Sequence, residues 1–214
     1  MVKDEIVRFY GFPPGKIDVV YNGVPVAAFQ RDTDTRARLR ETLGLGEKDV
    51  AVLFAGSGWE RKGLRFAIDA IEKTGNEMHL LVAGRGEQRR FRSERAQFLG
   101  VVEDMPALYA AADIFLAPTL YDPFSNACLE ALAAGLPVVT TRANGFSEII
   151  EPGVHGTIVS DPRETADIRD ALIFWSDSAR REEAGPRNRE LAARFDISPN
   201  VARTLQILTS FDLD

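Results

Sequence analysis

The sequence predicts an α/β fold, a doubly wound parallel sheet with helices on both faces. From Asp49 onward, short β-branched or apolar runs alternate with helical patterns, as parallel strands joined by crossover helices require. The 214 residues, 45% hydrophobic and 27% charged, are enough to bury one substantial core and match ordinary globular composition.

The elements follow in order. Ahead of Asp49 stand a strand-like run over 17–21, a turn at Asn22-Gly23, and a polar helix near 35–43 that Gly44 ends. Residues 50–55 read as a strand and 64–73 as a helix with Phe66, Ala67, Ala70 and Ile71 on one face. A strand over 79–83 is followed by one over 98–102 and a helix over 106–112. The strand at 114–117 leads to a helix over 124–134, the strand at 138–141 to a short run over 147–150, and the last strand is 157–160. Beyond Pro162 the pattern is helical, with helices through 168–175 and 187–195. A break is expected near Gly185-Pro186, because proline removes an amide and crowds the preceding turn. No internal repeat or low-complexity linker interrupts the chain, which reads as one domain.

Composition excludes several functions. A net charge of -6 leaves no overall footprint for wrapping nucleic acid. Cys128 is the lone cysteine, so no intramolecular disulfide forms and a reducing compartment, the cytoplasm, is expected. Residues 1–10 are polar where a signal peptide would be apolar, and no run reaches membrane-spanning length. A soluble chain is expected, with peripheral association with the inner membrane left open. His79 and His155 lie far from any cysteine or acidic cluster, so no metal is expected.

In a doubly wound sheet the ligand lies beyond the carboxyl ends of the strands. That places the chemistry in the loops 56–63, 84–87, 102–105 and 119–126. The segment from Thr119 to Val139 runs from a strand exit through a helix, stopped by Gly135 and Pro137, into the next strand. At the helix start the amides of Ser125, Asn126 and Ala127 lack intrahelical acceptors and form a natural anion seat. Asp122-Pro123 is a common N-cap and first-turn pair, so capping alone would account for Asp122. Glu130 resists a structural reading, since a carboxylate in a small, apolar helix is costly to bury unpaired. It is expected to face the cleft, with Asn126 one turn earlier on the same face.

The second segment, 55–64, offers Ser57 and Gly58 for close backbone approach, then Arg61 and Lys62 as a pair able to hold a diphosphate. Two basic residues before a helix are usually solvated surface; their place opposite the anion seat favours a ligand. Gly84-Arg85-Gly86 lacks the third glycine of a dinucleotide fingerprint. The run Arg85, Arg89, Arg90, Arg92 and Arg95, interspersed with Glu87 and Glu94, suits a solvated face. Trp59 either braces its loop or caps the core, and Trp175 reads as packing.

Together these segments resemble retaining glycosyltransferases of family 4, whose GT-B fold faces two Rossmann-like domains. Asp122 and Glu130, separated by seven residues, match the family's paired acids; Phe124 to Ala127 match its phosphate-binding helix start. Arg61-Lys62-Gly63, Asn144-Gly145-Phe146-Ser147-Glu148 and Tyr21-Asn22-Gly23-Val24 match further segments. Asp122 stands where the family usually has Glu, and Ser125 where it usually has Gly. A subgroup similar to bacterial lipopolysaccharide core glucosyltransferases shares the Asp-Pro-Phe-Ser-Asn form.

The resemblance implies that residues 1–214 form one C-terminal, Rossmann-like donor-binding domain, half of a GT-B fold, lacking the N-terminal acceptor domain. It implies a hexosyltransferase using a nucleotide-sugar donor, UDP-glucose, without metal or other cofactor, on a lipopolysaccharide or other glycan or glycolipid acceptor. Activity is expected of the full-length protein and not of this domain alone. Arg61, Lys62, Asp122 and Glu130 are then the candidate catalytic residues, with Glu130 on the donor ribose and Asp122 on the sugar. Ser57, Gly58, Gly84, Phe124, Ser125, Asn126 and Ala127 would surround the donor, and the backbone around Val102 and Asp104 would lie beside the base. The alternatives are a non-catalytic nucleotide-sugar-binding module, or part of another GT-B-like enzyme such as a nucleotide-sugar epimerase.

Overall fold

The computed structural model describes residues 1–30 and 32–210. It contains α1 (Val2–Tyr10), α2 (Thr33–Thr42), β1 (Val50–Ala55), α3 (Leu64–Ile71), β2 (Met78–Ala83), β3 (Ala96–Gly100) and α4 (Met105–Ala111). These are followed by β4 (Ile114–Ala117), α5 (Asn126–Ala133), β5 (Val138–Thr141), β6 (Gly156–Val159), α6 (Thr165–Trp175), α7 (Ser178–Ala193) and α8 (Ile197–Ser210). The strands form one parallel sheet in the order β3-β2-β1-β4-β5-β6, the Rossmann-like doubly wound arrangement.

Burial explains why the strands carry no polar alternation. Ala51, Leu53 and Ala55 of β1 face one apolar layer, with Leu108 and Tyr109 of α4 and Leu129 and Leu132 of α5. Val50, Val52 and Phe54 face the other, with Ala67 and Ile68 of α3 and Ile168, Leu172 and Trp175 of α6. A strand covered on both faces is apolar throughout.

Three expectations are corrected. Residues 17–21 form no strand; Tyr21 O accepts from Asn200 Nδ2 at 2.6 Å, and it is Val24 that makes a short bridge, to Asp196. The edge strand β3 lies two residues earlier than expected, because parallel pairing of Leu80 with Ala96 sets its register and Val101 and Val102 leave the sheet. Residues 2–10, read above only for their polarity, form the helix α1. Gly185-Pro186 breaks nothing, since α7 passes straight through Pro186. Its buried stripe of Ala184, Gly185, Asn188 and Ala192 is helical in spacing, and Asn188 Nδ2 donates to Leu136 O at 2.8 Å, so packing overrides the proline.

A charged anchor at the opposite, amino-terminal end of the strands holds α2. Arg36 and Arg40 reach Asp113 at 2.6 and 2.8 Å, and Asp113 also accepts from the Ala51 amide. Burial pushes the Asp113 carboxyl up, but Arg36, the Ala51 amide, Arg40 and Arg181 outweigh it and hold its pKa below the ordinary value.

Candidate active site

The parallel order brings the loops after β1, β2, β3 and β4 to one edge. The β1 loop turns back through Gly63, at φ 81°, where a Cβ would stand 1.9 Å from Pro118 O, so only glycine lets it press against the β4 exit. The two loops are tied across that contact. Arg61 O accepts from Leu120 N at 2.9 Å and from Thr119 Oγ1 at 3.0 Å, and Arg61 Nη1 donates to Tyr121 O at 2.6 Å. The β2 exit is as close: at Gly84, φ 116°, a Cβ would lie 2.0 Å from Gly56 O. Trp59, buried, donates from Nε1 to Gly56 O at 2.9 Å and packs on Phe91 and Phe98, so it both braces the loop and fills the core.

This scaffolding puts Lys62 against Asp122. Lys62 Nζ lies 2.5 Å from Asp122 Oδ2, with Arg61 Nη1 at 3.6 Å from the same oxygen. Asp122 is buried and pinned through its backbone: its amide donates to Ala143 O and its carbonyl accepts from Gly145 N, both at 2.9 Å. Asp122 is therefore no helix cap. Ser125 occupies the N-cap of α5, whose first residue Asn126 lies two positions after the expected helix start, and its side chain makes no capping bond. Among the described residues the amides of Ser125, Asn126 and Ala127 meet no acceptor. Burial pushes the Cys128 thiol up to about 12, which leaves it unionised behind this turn.

Beside the α5 start lies a cleft of about 400 Å³, lined by Ser57, Gly84, Val102, Ala127 and Glu130 among the expected residues. Burial raises the pKa of Glu130, opposed by a hydrogen bond from Tyr109, whose hydroxyl lies 2.8 Å from Oε2. Other expected residues stand outside the cleft. Asn126 is exposed and its Oδ1 accepts from Asn22 at 2.8 Å, so it does not converge with Glu130. The Phe124 ring lies 5.3 Å from that of Tyr21 and 6.1 Å from that of Phe146, and the Asp104 side chain caps α4 by accepting from Ala107 N. Gly58, on the β1 loop, faces open space.

Two cleft residues with polar side chains escaped the sequence reading. Tyr109 looked like any core aromatic of a helix, its hydroxyl being the one available signal. Arg85 had been placed on a solvated basic face, yet it lines the cleft. Arg95 leaves that face too, donating to the carbonyls of Ile71, Thr74 and Met78 around the end of α3. Among the described residues no cluster of His, Cys, Asp and Glu could hold a metal, and no helix is long and apolar enough to cross a membrane.

Comparison with known proteins fits this geometry. Residues 49–175, from β1 through α6, match the family model for glycosyl transferases group 1. A glycosyltransferase of Methanocaldococcus jannaschii is 31% identical over 72% of this chain and 44% of its own length. The lipopolysaccharide glucosyltransferase WaaG of Escherichia coli is 27% identical over 81% of this chain and 50% of its own. The crystal structure of Anabaena Alr3699/HepE in complex with UDP-glucose superposes with a TM-score of 0.84 at 25% identity, over 98% of this chain and 61% of that one. The chain thus spans about half the length of the curated relatives it matches. With its doubly wound sheet and a matched segment that contains Arg61, Lys62, Asp122 and Glu130, the chain belongs to the group 1 glycosyl transferases, enzymes of the GT-B fold.

Proposed function

We propose that this chain is the donor-binding part of a retaining, metal-independent hexosyltransferase that takes glucose from UDP-glucose and builds a bacterial surface glycan. The observation that carries the reading is the convergence of Lys62, Arg61 and the unpaired α5 amides beside a cleft holding Glu130. The amides and the two cations suit a diphosphate, and the helix dipole favours negative charge there. In this reading Glu130, which lines the cleft, accepts from ribose hydroxyls, and Asp122, beside Lys62, accepts from hydroxyls of the hexose. On transfer, the anomeric carbon to oxygen bond breaks and its electron pair leaves on the diphosphate. An acceptor hydroxyl oxygen bonds to the anomeric carbon on the same face, and its proton passes to the departing diphosphate oxygen. Lys62 and Arg61 stabilise the charge that develops on the leaving group. Glucose and the lipopolysaccharide class rest on the HepE complex with UDP-glucose and on the likeness to WaaG. Holding an acceptor near the anomeric carbon is assigned to the rest of the longer protein, and turnover with it.

Calorimetry of the 214-residue chain with UDP, with and without divalent cation, tests this. Binding is expected without metal. A folded chain giving no heat at millimolar UDP sinks the donor site. Glu130→Ala is expected to weaken UDP about tenfold, the scale of one lost hydrogen bond to a charged group. Asp122→Ala is expected to weaken UDP-glucose more than UDP; equal losses would restrict Asp122 to pairing with Lys62.

A further inference from the structure

Glu130 is the one carboxylate lining the cleft among the described residues, and its partner comes from another element. Tyr109, on α4, is fully buried, its ring 5.5 Å from Phe29 in an edge contact and 5.7 Å from Phe115. Packing on both sides leaves the phenol no freedom to swing. Its hydroxyl stands 2.8 Å from Glu130 Oε2 and 3.1 Å from Ala127 O, with one proton to give and the carboxylate the stronger acceptor. A bond from a fixed donor to one oxygen orients the whole planar group.

We infer that Tyr109 is the positioning residue of the cleft: it holds Oε2 of Glu130 and so aims Oε1 at the hydroxyls of a nucleotide ribose. The inference rests on the donor-site reading above. The electrostatics agree with the geometry. Burial, then the charge of Glu130, keep the Tyr109 phenol protonated far above neutral pH, so it remains a donor. Burial favours a neutral Glu130 and the bond from Tyr109 favours the carboxylate, the form that accepts from two hydroxyls. The other ionisable group facing the cleft is Arg85, on the loop after β2, exposed and without a hydrogen bond among the described residues. A purely structural Tyr109 would fill the space between Phe29 and Phe115 and cap Ala127 O, and phenylalanine would replace most of that.

Two measurements on the 214-residue chain separate the roles. Carboxyl carbon NMR of glutamate-labelled protein, with Glu130 assigned by Glu130→Gln, follows its titration without ligand. In Tyr109→Phe the Glu130 carboxyl is expected to titrate at higher pH than in wild type; an unchanged titration overturns the inference. Calorimetry then compares UDP with 2′,3′-dideoxyuridine diphosphate across pH. Tyr109→Phe is expected to weaken UDP about tenfold near pH 7, to move the acid loss of binding to higher pH, and to leave the dideoxy ligand unaffected. The penalty is also expected to vanish in a Glu130→Gln background. Equal weakening of both ligands overturns the positioning role while donor binding stands. No UDP binding by wild type sinks the donor reading itself and takes the ribose role with it, whatever the titration shows.

Discussion

Glu130 sets binding against stability. Burial raises its pKa above the ordinary carboxylate value even with Tyr109 donating to it, so folding prefers the neutral form. A carboxyl whose folded pKa is raised contributes stability that is complete below its unfolded pKa and is lost as pH rises through the folded one. Glu130→Gln keeps an acceptor for Tyr109 and removes the half-buried charge. It is expected to raise the Tm at pH 7 by about 2–4 °C, on the order of 1 kcal/mol, while weakening UDP. The gain should shrink at pH 4, where wild type is protonated; a lower Tm at pH 7, by scanning calorimetry, would show the carboxylate to be net stabilising. The cost of burying a carboxylate marked Glu130 in the sequence as a cleft residue. Asp122 was less legible, because Asp-Pro suits a cap equally well; the approach of Lys62, sixty positions away, and of Arg61 gives its side chain other partners.

At the scale of elements, the glycine turns and the start of α3 at Leu64 were readable, because their determinants are local. The strands at 50–55, 114–117 and 138–141 lie where their apolar runs place them. The failures were at edges and at α7, where distant contacts decide. Pro186 lies on the exposed side of α7 and leaves Glu182 O without its usual intrahelical donor, while Asn188 and the buried stripe hold the helix in place. Pro186→Ala is therefore expected to restore that bond and stabilise the chain by about 1–3 kcal/mol, read as a higher urea midpoint at unchanged slope. An unchanged or lower midpoint would mean that α7 has adapted to its proline.

Across the whole molecule, one sheet carries both apolar layers, and its two tryptophans report on opposite sides of the strand order. Trp59 packs near β3 through Phe98, whereas Trp175 donates to Thr157 Oγ1 of β6. Both belong to the same layer. Single-tryptophan variants, Trp59→Phe and Trp175→Phe, are expected to show fluorescence transitions in urea that coincide with each other and with far-UV circular dichroism. Separated midpoints would mean that the two sides of the sheet unfold apart. The sequence by itself determined the doubly wound class, the loops at the carboxyl ends, and the candidate charges Arg61, Lys62 and Glu130, because periodicity, glycine placement and the cost of burying charge act over short spans; Asp122 joined them through the family resemblance. Tertiary structure alone decided that Lys62 meets Asp122, that Tyr109 meets Glu130 across twenty-one positions, and that Asn126 and Phe124 turn elsewhere. Such pairings depend on which strand exits lie side by side, and a sheet's order is set by packing between distant parts of the chain.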